Sequence, residues 1–167
     1  MAHESTLKKL DERFGAATFA TSEFRDNFRL ECPRDKAGEL LRFLKDSCGF
    51  DMLVDLTAAD YVEYDGARDR FKVIYLLAST GSGERLIVRV PLNEPDLSLP
   101  SAVPLWLGAN WMEREVFDMF GIRFDGHPDL RRVLLPDEFT AFPLRKDYPL
   151  RGRGERHNFP VLTRNEG

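Results

Sequence analysis

The sequence predicts an α+β fold: a mixed β-sheet with helices packed on one face, followed by an extended, proline-punctuated C-terminal arm. Three observations predict it. Several short runs alternate apolar and polar residues with the two-residue period of half-buried strands. Three runs carry apolar residues at helical spacing. Beyond residue 121 prolines recur every 6 to 11 residues, at Pro128, Pro136, Pro143, Pro149 and Pro160. The expected division is an α+β domain over 1–121 and a docking arm over 122–167.

The elements follow in order. Residues 4–14 place Leu7, Leu10 and Phe14 on one stripe, with Ser5 or Thr6 as the expected N-cap. Residues 16–20 read as a short strand. Residues 26–32 alternate Phe28, Leu30 and Cys32 with polar neighbours. Pro33 is expected to open a helix through Cys48, with Leu40, Leu41, Phe43 and Leu44 as its apolar face and Gly49 as its stop. Residues 51–61, 71–79 and 85–91 read as strands, the last two joined by the turn chemistry of Gly81-Ser82-Gly83. Residues 91–101 hold three prolines and read as a loop. The spacing then predicts a helix over 102–120, stopped by Gly121.

The arm contains many apolar residues, among them Phe124, Leu134, Phe139, Phe142, Tyr148 and Leu150. A chain so interrupted by proline cannot build a layered core of its own, and it is too apolar for ordinary disorder. It is expected to lie in grooves on another body, either its own domain or a partner. The partner is the favoured reading.

Composition narrows the function. The 167 residues carry a net charge of −4, with 15 Lys+Arg against 21 Asp+Glu over 1–120 and 9 against 7 over 121–167. A slightly basic arm on an acidic body suits an acidic protein partner and argues against nucleic acid. The cysteines, Cys32 and Cys48, are too few for an iron–sulfur cluster held by this chain alone. No apolar run approaches the ~18 residues of a membrane span. The expectation is a soluble protein, or one that reaches a membrane through partners.

The densest charge cluster is Glu113-Arg114-Glu115 with Asp118. Two carboxylates could serve as an acid/base pair. Alternatively they pair with arm arginines such as Arg131 or Arg145, because unpaired charges among Trp and Phe are costly; pairing is the favoured reading. His127, in a Gly-His-Pro-Asp turn, lacks neighbouring ligands for a metal site. A hydrogen-bonded turn histidine is expected. Arg131-Arg132 and Arg145-Lys146-Asp147 abut apolar residues and proline, which suits interface ion pairs. The glycine pairs at 81/83 and 152/154 lack the context of a dinucleotide fingerprint. From the residues alone the reading is an α+β domain with a docking arm and no recognisable active site.

A family resemblance adds to this. The run Glu113-Arg114-Glu115-Val116-Phe117-Asp118-Met119-Phe120-Gly121-Ile122, its continuation from Phe124 to Pro136, and Phe142-Pro143-Leu144-Arg145-Lys146-Asp147-Tyr148-Pro149 resemble the signature of one family. It is the C subunit of respiratory complex I, the proton-pumping NADH:quinone oxidoreductase. Upstream, residues 54–61 resemble the family's sheet strand. Ala141 departs from the glycine often found there. The resemblance implies a peripheral-arm subunit with no flavin, cluster or quinone chemistry of its own, the flavin and iron–sulfur clusters lying in partner subunits. It implies the D, B and I subunits as partners, with the tail crossing the quinone-site D subunit. It also implies peripheral association with the cytoplasmic face of a bacterial inner membrane, only through the complex. The chain's end at Gly167 suggests the form in which the C and D subunits are separate chains. On this reading Glu113, Arg114, Glu115, Asp118, His127, Arg131, Arg132, Arg145, Lys146 and Asp147 are assembly residues, and Phe139, Phe142 and Tyr148 aromatic anchors. An equivalent subunit of a membrane-bound hydrogenase, or of a quinone reductase fed by another donor, fits the same signature.

Overall fold

A computed structural model describes residues 3–154. Helix α1 spans Glu4–Phe14, and Gly15 ends it. Its N-cap is His3, not the expected Ser5 or Thr6, and Thr6 is instead buried. The strand expected at 16–20 lies further on, as β1, Ala20–Phe24. Gly15 and Ala17 hold positive-φ backbone (92° and 61°), which breaks extension before Ala20. A hairpin turn at Arg25 and Asp26 (φ 48° and 63°) leads into β2, Asn27–Glu31. Two left-handed residues match the strands' twist, but Arg-Asp is not the usual Asn-Gly, so the sequence hid this hairpin.

Pro33 caps a 3-10 turn, Arg34–Lys36, before α2, Ala37–Asp46. The α-helix is thus shorter than the expected span. It buries Ala37, Leu40, Leu41 and Leu44. Strands β3 (Met52–Asp60), β4 (Phe71–Ala78) and β5 (Arg85–Leu92) stand where the alternation places them. The sheet order is β1-β2-β5-β4-β3, antiparallel except where β2 runs parallel to β5. This is the expected mixed sheet. Its covered face supplies Leu30, Val73, Tyr75, Val88 and Val90, none of them exposed at all.

The loop expected at 91–101 contains structure. Pro91 lies inside β5, paired only with Lys72, beyond the end of β2's ladder at Arg89. A residue without an N–H is tolerated there. Ser98–Pro100 forms β6, which pairs in parallel with β7, Arg123–Asp125, beyond Gly121. Helix α3 is Ala109–Phe120, shorter than the expected 102–120. Residues 102–108 instead form tight turns, in which Leu105 and Trp106 both donate to the Ala102 carbonyl and Ala109 to that of Trp106. Pro104 disfavours helical backbone at Val103, the residue before it. Gly121 ends α3 in left-handed conformation, φ 75°. Past β7 the described arm contains neither helix nor strand.

Candidate functional site

The densest polar constellation in the core joins α3 to the arm. Asp118 and Glu113 project inward from α3, and neither side chain is exposed. Asp118 Oδ1 receives Arg132 Nη1 at 2.6 Å. Its Oδ2 accepts the backbone N–H groups of Val133, Leu134 and Leu135 at 3.1, 2.8 and 2.9 Å. Arg132 also reaches the carbonyls of Asp118 and Ala141. Burial opposes the charge on Asp118, but the amides and the guanidinium outweigh it and hold the carboxyl below the usual range. One side chain thereby fixes three consecutive arm residues that have no strand or helix partner.

Arg145 makes the second clamp. Its Nε donates to the Phe120 carbonyl at 2.6 Å, and Nη1 meets Glu94 at 2.9 Å. The guanidinium lies 4.8 Å from the Phe142 ring centre and 5.2 Å from that of Phe71. Leu144 N–H donates to the Met119 carbonyl, so two arm residues serve orphan carbonyls near the end of α3. A Cβ on Gly121 would come within 2.6 Å of Phe142, so glycine is required both by the backbone turn and by the space. Asp147 pairs with Arg70 at 2.6 Å, and Arg70 also reaches Asp60 and Glu94. Hydrogen bonding to Arg70 holds Asp147 below the usual carboxylate range. Lys146 contributes its backbone N–H to Asp60, while its side chain is exposed. Phe139 is buried, 6.1 Å from Tyr148 between ring centres.

Glu113 differs from the expected ion pair. Its oxygens accept from Ser101 Oγ at 2.7 Å and Ala102 N–H at 2.6 Å, with no arginine paired to it among the described residues. Burial pushes its carboxyl up to about 7, against the lowering effect of those two bonds. His127 Nδ1 accepts the N–H of Asp129 at 3.0 Å, which leaves the ring proton on Nε2, 3.1 Å from the Asn110 carbonyl. Glu113 lies 4.0 Å from that Nε2, too far for a hydrogen bond. The buried imidazole therefore stitches the turn after β7 to α3.

Apart from Glu113 and His127, the candidate residues fall into two groups. Asp118, Arg132, Phe139, Phe142, Arg145, Asp147 and Tyr148 converge on the seam between arm and domain. Arg114 joins them by donating to the carbonyls of Arg131 and Arg132, while stacking 4.8 Å from Trp111. Glu115, Arg131 and Lys146 face outward. The expected cation for α3 was Arg131 or Arg145. It is Arg132, because Arg131 turns out to Asp129 and Arg145 to Glu94. The arm was expected to lie on its own domain or, as the favoured reading, on a partner; among the described residues its inward charges are satisfied by its own domain. The acid/base alternative has no geometric support, since Glu115 is exposed, Asp118 is saturated with donors, and His127 faces Asn110. Asp60, Arg70, Glu94 and Ser101 escaped sequence reasoning, since each bonds to residues remote from it in the chain. Among the described residues no group of three or more His, Cys, Asp or Glu is placed to hold a metal ion.

Residues 30–154 match the model of the family described as respiratory-chain NADH dehydrogenase, 30 kDa subunit. The chain is 44% identical over 148 residues to the NADH-quinone oxidoreductase C subunit of Trichlorobacter lovleyi, covering 89% of this chain and 90% of that one. It is 45% identical over 130 residues to NADH-quinone oxidoreductase subunit 5 of Thermus thermophilus, covering 74% of this chain and 62% of that one. Among solved structures it resembles a trypsin-resistant fragment of Nqo5, with TM-score 0.68, 38% identity, and coverage of 74% of this chain and 98% of that one. The fold alone is shared with a chain of a membrane-bound sulfane sulfur reductase, an archaeal respiratory membrane complex, at TM-score 0.74 and 23% identity over 98% of this chain and 95% of that one.

Proposed function

The chain belongs to the family of the respiratory-chain NADH dehydrogenase 30 kDa subunit, and from that membership we propose that it is a non-redox scaffold subunit in the peripheral arm of a proton-translocating NADH:quinone oxidoreductase. It docks the quinone-site D subunit and the iron–sulfur B and I subunits, at the cytoplasmic face of a bacterial inner membrane. The holoenzyme passes electrons from NADH to quinone, with flavin and clusters in partners and no cofactor in this chain. Membrane attachment comes through the complex. Among the described residues no helix is long and apolar enough to cross a membrane.

One observation carries the scaffold reading. The domain fixes the arm by satisfying its inward charges, and this leaves apolar side chains pointing out. Leu134, Leu144 and Leu150 are 62%, 50% and 104% exposed, and Trp111 on α3 is 63% exposed. A rigidly positioned segment with outward leucines, flanked by the outward-facing Glu115, Arg131 and Lys146, suits a protein interface. Affinity purification of the tagged chain from solubilised membranes tests this. The D, B and I subunits co-purify, and Glu115→Ala or Leu150→Asp reduces their recovery while the isolated chain stays folded. Full recovery with both variants refutes the docking role. The fold shared with the archaeal sulfane sulfur reductase chain favours, as a second reading, an equivalent subunit of a related membrane-bound hydrogenase or a reductase fed by another donor. Co-purification of an NADH-binding flavin subunit separates the two.

A further inference from the structure

Among the described residues the buried apolar positions of the helices cluster with one face of the sheet. Along β4 and β5 buried residues alternate with half-buried ones, and the register assigns the half-buried set to one open face. Across one row stand Thr57, Ile74, Arg89 and Glu31, and across the next Asp55, Leu76, Ile87 and Arg29. A solvated antiparallel face ordinarily turns polar residues outward. Here the centre is aliphatic: Ile74, Leu76 and Ile87.

The charges around that centre are unbalanced. Arg29, Lys72, Arg85 and Arg89 stand on the same face as Glu31 and Asp55, a cationic excess on a chain whose net charge is −4. Glu31 serves two cations at once, pairing with Arg89 and, at 3.1 Å, with Lys72. Among the described residues Arg89 Nε is buried and has no acceptor. Lys72 and Arg89 also line, with Tyr61, Tyr64, Arg68 and one carboxylate, Asp69, an open recess of about 490 Å³ at the end of the face. One carboxylate shared by two partly exposed cations leaves both able to take a second carboxylate.

We propose that this open face is a second docking surface, separate from the arm. Its occupant is a segment of a neighbouring protein subunit that presents aliphatic side chains to Ile74, Leu76 and Ile87 and a carboxylate to Arg89 and Lys72. The aliphatic centre and the interspersed Glu31 and Asp55 favour protein over nucleic acid. The inference rests on the chain being a subunit of a larger complex.

The test uses the assembled complex, with a photoactivatable phenylalanine analogue replacing Leu76 or Ile87 in the tagged full-length chain. The same analogue at Leu144 reports on the arm. Irradiation is expected to attach positions 76 and 87 to a neighbouring subunit, at a peptide holding Asp or Glu beside aliphatic residues. Arg89→Glu is expected to cut the yield from position 87 at least fivefold, and Arg89→Lys less than twofold. Adducts at 144 with none at 76 or 87 overturn the second surface and leave the subunit reading standing. Adducts from 76 or 87 to a second copy of this chain, to its own residues 155–167 or to nucleic acid overturn it equally. A chain that elutes alone, with no adduct from any position, overturns both readings.

Discussion

Replacing Asp118 by alanine removes the side chain that serves both Arg132 and the amides of Val133, Leu134 and Leu135, and leaves Arg132 the carbonyls of residue 118 and Ala141. Each hydrogen bond to a charged group contributes about 1.5–3 kcal/mol, and breaking a buried ion pair costs about 3–5 kcal/mol. The four bonds share one acceptor and are not additive. The arm has a cheaper response than strict loss of all four: it can lift off, letting water reach the freed donors, so the expected cost is about 3–5 kcal/mol, confined to the arm. Hydrogen exchange read by mass spectrometry resolves this. Peptides spanning 128–145 are expected to exchange on the order of 100-fold faster or more, as about 3 kcal/mol of lost protection implies, while β4 and β5 keep their protection. Asp118→Asn is expected to behave as a milder form of the same variant. The wild-type carboxyl is held below its ordinary range, so its contribution is present above the unfolded pKa and is lost as pH falls through the folded one. Acidification of wild type below about pH 4 is therefore expected to loosen the same peptides, and the Asn variant is expected to lose that pH dependence. Unchanged exchange over 128–145 in Asp118→Ala refutes the clasp.

Other expectations concern neighbouring contacts. Glu113, with its carboxyl raised to about 7, favours its protonated form when folded; stability is therefore full below about pH 4.5 and declines as pH rises through 7, by up to about 3 kcal/mol. Glu113→Gln is expected to flatten that decline in urea titrations at pH 5 and pH 8, and an equal decline in the variant counts against the burial argument. Gly121→Ala is expected to cost about 1–2 kcal/mol from left-handed backbone alone, plus displacement of Phe142, seen as a lower urea midpoint; a midpoint equal to wild type contradicts the close approach. Arg145→Ala is expected to expose Phe142 and the end of α3, speeding tryptic cleavage after Lys146 and Arg151, with unchanged digestion as the opposing result.

The strands β3, β4 and β5 were legible because a sheet covered on one face writes a two-residue period into the sequence. Helix α1 and the apolar face of α2 were legible for the analogous reason. Boundaries were less so. Pro104 and the bond from Ala102 to Glu113 cut the expected long helix back to Ala109, and the second of these is a contact across eleven residues. The Arg25-Asp26 turn and the β6–β7 pairing leave no composition signal.

What the sequence determined by itself was the class of fold, the proline-broken arm, and the family, because a long ordered run of residue types is local information. Which charge meets which was decided only by tertiary structure. Arg131 and Arg132 are adjacent and chemically identical, yet Arg132 turns inward to Asp118 and Arg131 outward to Asp129. Arg145 found Glu94 and two phenylalanine rings rather than α3's carboxylates. Partner choice depends on distances of a few ångströms between segments far apart in the chain, and on how much water burial removes. Neither quantity exists until the chain has packed.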